Sequence, residues 1–335
     1  MLVNPDRALL EKYGIDAGDL EPADAEARRS VDRMRPSVSY WKDAFQRFVR
    51  NKMAIFMFCL LVFIVLMAIF GPVLSPYTYE MQMRDHVREG PSLSHPLGTD
   101  RLGRDIFVRV MFGTRISLLV GFVTMILVGI IGILYGGISA YAGGWCDNIM
   151  MRIVDLLMAV PTLLVIIILS VAMRGFFSSL LSNRSFLPIA SLGSGLVSIF
   201  IVLALFNWLG MARAVRGALL MNRSQEYVLA SEAMGAGARW VIGKHLLPNS
   251  IGVVIINATG IVPGAIMTES FLSFIGLGVS APVPSLGSMA NDALNGIASF
   301  PQNMAYPAML ISLIILCFNV LGDALRDALD PRMRR

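Results

Sequence analysis

Six stretches of the chain carry no charged side chain at all: residues 53–71, 116–142, 156–173, 187–212, 251–268 and 300–322. At about 1.5 Å rise per residue, each crosses a hydrocarbon core of about 30 Å as a helix. Their apolar positions are continuous rather than alternating, which excludes a barrel. Allowing for flanking turns, the spans are 53–74, 116–142, 153–173, 187–212, 250–272 and 300–322. The predicted fold class is therefore an all-α integral membrane protein with six transmembrane helices.

The longest polar interruption after the fourth span, residues 213–249, has its own helical pattern. Ser224-Gln225-Glu226 reads as a helix start, with Ser224 as the cap and an acid in the first turn. That helix runs to about Met234, Gly235 and Gly237 break it, and a second helix over 238–246 stops at Pro248-Asn249. A compact helical elbow between two spans is suited to a groove on another protein. Its length and punctuation weaken the alternative of an ordinary surface loop.

Around these elements the pattern shifts. Residues 1–39 mix charges with few aromatics and read as a polar tail. Over 40–52, Trp41, Phe45, Phe48 and Val49 recur at helical spacing opposite charged positions, as in an amphipathic helix lying at a membrane interface; the wet first turns of span one are the alternative. Gly143 to Asn148 is read as a short turn between spans two and three. Glycines in span two (Gly121, Gly129, Gly132, Gly136, Gly137) permit close helix packing. Pro161 and Pro263 lie within spans three and five and predict kinks, whether hinges or shape. The segment Leu272 to Val279 is apolar and glycine-punctuated, and suits either a gate or a loop packed on its own bundle.

Composition adds orientation. Of 335 residues, 56% are hydrophobic and 15% charged, with a mean hydropathy of +0.66. The polar first fifty residues predict no cleavable signal peptide. With both termini inside, 20 of the 28 Lys and Arg residues fall on the inner side, as the positive-inside rule expects. The net charge of +5 then reports topology and needs no nucleic-acid partner. The three cysteines are placed in spans or at an inner turn, which argues against a structural disulfide. The three histidines (His86, His95, His245) are scattered along the chain without zinc spacing.

Catalytic chemistry is poorly supplied. Asp155, Glu269 and Asp323 are placed near span ends, where each reaches an interface, and no histidine falls in a span. The one Gly-Lys pair, Gly243-Lys244, fails as a phosphate loop: Ala238 stands where glycine is needed and His245 where Ser or Thr is needed. The chain is expected to be no enzyme and to bind no cofactor or metal. The 21 methionines are scattered as packing residues.

The elbow resembles the cytoplasmic coupling loop of ABC importer permeases, whose pattern is Glu-Ala-Ala, three residues, Gly, nine residues, an aliphatic, one residue, Leu-Pro. Here Leu229-Ala230-Ser231, Gly235, His245 and Leu247-Pro248 occupy those positions, so Ala230, Gly235, Leu247 and Pro248 agree. Leu229 replaces the Glu, and Glu226 or Glu232 would supply the polar contact. Gly98-Thr99-Asp100, Gly103 to Phe107, the run from Leu272 to Gly278 and the tail from Gly322 to Pro331 look like the second permease subunit of oligopeptide/dipeptide importers. The resemblance covers about residues 40–333.

It implies a type I ABC importer permease fold with an N-terminal interfacial helix and a cytoplasmic coupling-helix loop, in a bacterial or archaeal cytoplasmic membrane. It also implies a homologous permease partner, two cytoplasmic ATPase subunits that hold ATP and Mg²⁺, and an extracytoplasmic substrate-binding protein. The expected ATPase contact comprises Ser224, Glu226, Tyr227, Leu229, Ala230, Ser231, Glu232, Gly235, Leu247 and Pro248. Peptides are the substrate the resemblance favours, although related permeases serve nickel and other small solutes. The rival reading is an ion-coupled carrier, which would favour an internal repeat and midplane charges.

Overall fold

The computed structural model describes residues 40–181, 194–279 and 281–329. The tail over 1–39, the first residues of span four and the Asp330-Pro331 end of the tail motif lie outside them. The chain divides between Asp43 and Ala44, and the account below concerns the second part. Apart from one isolated bridge between Thr99 and Asp105, every regular element among the described residues is a helix.

In chain order the helices are α1 (Tyr40–Arg50), α2 (Lys52–Leu74), α3 (Ile106–Ala142), α4 (Gly144–Ala159), α5 (Thr162–Leu181), α6 (Ser194–Arg223), α7 (Glu226–Ala233), α8 (Ala238–Trp240), α9 (Leu247–Phe274), α10 (Leu286–Leu294) and α11 (Gln302–Leu329). Asn51 separates α1 from α2 and caps α2, accepting from the Met53 and Ala54 amides. On α1, Phe45 and Val49 are exposed, whereas Phe48 packs on the main core.

Among the described residues, five helices are long and apolar enough to cross a membrane, and the pair α4–α5, bent by 85°, makes a sixth when it is counted as one broken span. The predicted third span, 153–173, is thus broken rather than continuous. Pro161 has no amide to donate and forces Val160 into an extended conformation, so α4 ends and α5 restarts beyond it. At 20 residues, α5 alone is about 30 Å long. The predicted turn before α4 is also shorter than expected. Gly143 and Gly144 both have positive φ and complete the reversal, and Trp145 to Asn148 are already helical. Pro263, by contrast, lies within α9 without ending it.

One core cluster joins α2, α3, α9, α10 and α11 through Leu61, Ile64, Val110, Val262, Ile266, Leu286, Ile314 and Phe318. Helices α3 and α6 pack closely. A Cβ on Gly136 would lie 2.4 Å from the Ala212 carbonyl oxygen, and one on Gly132 would lie 2.5 Å from the Met211 side chain. Two glycines one turn apart therefore let the backbones meet, as the sequence pattern predicts.

Glu269 departs from expectation. It is fully buried rather than within reach of an interface. Its carboxylate accepts hydrogen bonds from Ser117 on α3 (2.9 Å) and Ser273 (2.7 Å), with Ser270 at 3.4 Å. Hydroxyl donors stand in for water around a group that is costly to bury unpaired.

Candidate functional site

The elbow is built on a clamped end of the bundle. Where α3 ends, Arg223 from α6 donates to the Ala140 and Tyr141 carbonyls at 3.1 and 3.0 Å, capping groups with no partner inside their own helix. Arg216 grips Asp147 of α4 with two bonds of 2.5 Å, and Ser139 donates to the same carboxylate at 2.5 Å. Arg213 pairs with Asp155. Asn222 donates to Ser250 at 2.8 Å, tying the end of α6 to the start of α9. These ties hold α3, α4, α6 and α9 together at one end.

Across this base lies α7. Val228 and Ser231, one turn apart, face inward and are buried. Val228 joins a cluster with Val215, Leu219, Val241 and Leu246. Glu226, Leu229, Ala230 and Ala233 fall on the opposite face and are exposed, as is Tyr227. Glu232 is half-buried at the margin. The face thus offers one acid, one aliphatic and two small residues on a short, backed helix.

The ends of α7 obey local rules that the sequence reading caught only in part. At its C-terminus the Gly235 amide donates to Glu232 (2.9 Å) and the Ala236 amide to Ser231 (3.1 Å), a Schellman closure. It requires a left-handed residue, and Gly235 supplies it with φ +88°. Its N-terminus departs from expectation. Gln225, not Ser224, is the cap, and no side chain caps the helix. Ser224 still belongs to the turn that closes α6, and its hydroxyl donates to the Met221 carbonyl at 3.2 Å.

The second elbow helix does not stop at Pro248. It passes from α8 through a π-helical stretch, Val241–Leu246, into α9 as one continuous column. The wider coil absorbs Pro248, which lacks an amide and would crowd the carbonyl of the preceding turn in an ordinary α-helix. Leu247 is half-buried against the cluster that holds Val228, and Pro248 is exposed. His245 approaches Tyr227, with 6.0 Å between ring centroids. The expected residues are therefore gathered in one region. Its outward surface is formed by Glu226, Tyr227, Leu229 and Ala230, while Ser231 and Gly235 shape the helix behind it.

The far end of α3 carries a second polar assembly. Asp100 accepts from the Leu102 and Arg104 amides, from Arg104 Nε at 2.7 Å and from Arg109. Asp292 on α10 accepts from Arg101 (3.2 Å), Arg104 (3.3 Å) and Arg109 (3.3 Å). The Asp100–Arg104 pairing is local and matches the turn expected from sequence. The partnership with Asp292 had no sequence signal, because nothing in the local pattern links two segments so far apart in the chain.

Residues 130–335, covering α6 to α11 and the elbow, match the family described as binding-protein-dependent transport system inner membrane component. The chain belongs to that family. Residues 39–91 of this permease match the N-terminal transmembrane domain of oligopeptide transport permease C. Over 315 residues the permease is 43% identical to the oligopeptide transport system permease protein OppC of Bacillus subtilis, covering 94% of this chain and 97% of that one. It is 45% identical over 312 residues to the dipeptide transport system permease protein DppC of the same organism, covering 92% of each. Among solved structures, a chain of the MetNI methionine ABC transporter, in inward-facing conformations, superposes with a TM-score of 0.51. That match is 22% identical and covers 66% of this permease and 96% of that chain, so it establishes the shared fold. The expected all-α, multi-pass permease architecture is borne out.

Proposed function

We propose that the chain is the permease subunit of an ATP-driven importer of peptides, forming the translocation pathway together with a second, homologous permease. Support for the substrate class comes from the two Bacillus relatives, named for oligopeptide and dipeptide transport. An extracytoplasmic binding protein delivers the solute. Two ATPase subunits on the cytoplasmic side hold ATP and Mg²⁺, while this chain hydrolyses nothing. Both termini face the cytoplasm, in keeping with the distribution of Lys and Arg.

The observation that carries the proposal is the outward face of α7: Glu226, Tyr227, Leu229 and Ala230 stand exposed on a helix backed by Val228 and Ser231 and by the clamped base. A short helix presented in this way inserts into a groove of an ATPase. Closure of the ATPases then displaces the elbow and, through α6 and the α8–α9 column, the spans that flank the pathway.

The test replaces Leu229 and Ala230 singly with Arg in the reconstituted complex. ATP-dependent peptide uptake into proteoliposomes is expected to fall at least tenfold, with co-purification of the ATPase reduced and the paired permease retained. Uptake that survives deletion of residues 224–234, or that follows a proton gradient at constant ATP, would overturn the proposal.

A further inference from the structure

The histidines that look scattered in sequence do not all stay apart. One nitrogen from each of His86 and His95 and a carboxylate oxygen of Glu89 lie within 4.8 Å of one another. We propose that these three residues form a site for a borderline divalent cation, zinc being the best fit. The site is independent of the transport reading.

Its scaffold is already in place. Thr99 donates its hydroxyl to the His86 carbonyl, and the same Thr99 Oγ1 accepts from the Glu89 amide at 2.9 Å. The Thr99 amide donates to the Glu89 carbonyl at 3.0 Å, and the Arg88 amide to the Asp100 carbonyl at 3.1 Å. The turn bearing His86 and Glu89 is thereby fixed against the segment that bears His95. Arg88, between them, directs its cation over the Phe300 ring, 5.4 Å from the centroid.

His95 is the fixed ligand. It is 1% exposed, and its Nδ1 lies 2.8 Å from the buried carboxylate of Asp105. With the proton on Nδ1 held by Asp105, Nε2 keeps its lone pair. This carboxylate–histidine arrangement orients metal-binding imidazoles and raises their basicity. His86 and Glu89 are about half exposed and are joined by a 2.8 Å hydrogen bond that a cation would replace. A tetrahedral zinc ion with bonds of about 2.0–2.1 Å needs these donors to close up, and the exposed pair has the freedom to do so. Two imidazoles and one carboxylate favour zinc over calcium or magnesium, and leave a fourth position for water.

The full-length chain, purified without a polyhistidine tag and held in a lipid nanodisc, is titrated with zinc by calorimetry. One zinc per chain is expected, with affinity lowered at least tenfold in both His86→Ala and Glu89→Gln. Because both positions are exposed, the variants retain the fold, which circular dichroism verifies. Cobalt in place of zinc should give the visible bands of a four-coordinate site in the wild type and lose them in His86→Ala. Absence of zinc binding by the wild type, or binding by either variant as tight as that of the wild type, would refute the site.

Discussion

Asp100 and Asp147 hold ion pairs at opposite ends of α3, and each makes a different prediction. Burial disfavours the Asp100 anion more than any other single influence. Against it act the charge of Arg109, the Arg104 amide and charge, and the Leu102 amide, which together hold the carboxyl below its ordinary value. With the folded value depressed, the stabilisation is fully present above the unfolded pKa of about 3.9. It is lost as pH falls through the folded value. Thermal melting of the purified chain between about pH 5 and pH 2 should therefore show an acid limb that Asp100→Asn reduces. At the other end, Asp147→Asn leaves Arg216 with half a partner in a site where Asp147 is nearly buried. A loss of about 1–2 kcal/mol, read as a lowered melting temperature or denaturant midpoint, is expected.

At the scale of elements, punctuation was read well where the responsible residue acts alone and less well where it acts through its surroundings. Gly235 ends α7 because of its own φ, and the sequence sufficed to place it. Gly235→Ala should destabilise the elbow by about 1–2 kcal/mol, the cost of a left-handed alanine, and weaken ATPase co-purification without removing the permease partner. Pro161 predicts a kink, yet no local pattern reports that the break reaches 85°. Pro248 signals a stop only in α-helical geometry, and a π turn evades that constraint. Ser224 has the residue type of a cap, but residue type alone does not say which of two adjoining helices claims a hydroxyl. Packing predictions are sharper. Gly136→Val places two methyl groups, and the Cβ that carries them, against the Ala212 backbone, so α3 and α6 must separate, and expression of folded chain should fall well below that of Gly136→Ala.

For the whole molecule, the apolar, all-helical character of the crossings was legible because lipid imposes it on sequence directly. Long-range polar contacts were not. Asp292, the Ser117 donor to Glu269 and the Arg216–Asp147 grip join residues remote in sequence, and charge patterning carries no information about such partners. The Asp292 contacts fasten the segment around Arg101 to Arg109 onto α10, so the two ends of the bundle are each closed by ionic ties. Asp292→Ala should leave the elbow intact and loosen only the far end. Limited trypsin digestion of intact complex should then cut at Arg101 several times faster than in the wild type, with sites in residues 213–249 unchanged.

The π stretch between Trp240 and Leu247 holds one more residue than an α-helix of the same rise would need. Each residue of helix turns the chain by about 100°, so that surplus sets the azimuth of everything beneath it relative to the fifth crossing. Deleting Gly243 would regularise the coil and swing the elbow around the axis by about that angle while leaving every side chain in α7 unchanged. On the proposed function, a transporter so altered should retain its fold and its pairing with the other permease, yet aim its knuckle past the motor meant to receive it. The azimuth of the elbow thus rests on a single spare amino acid.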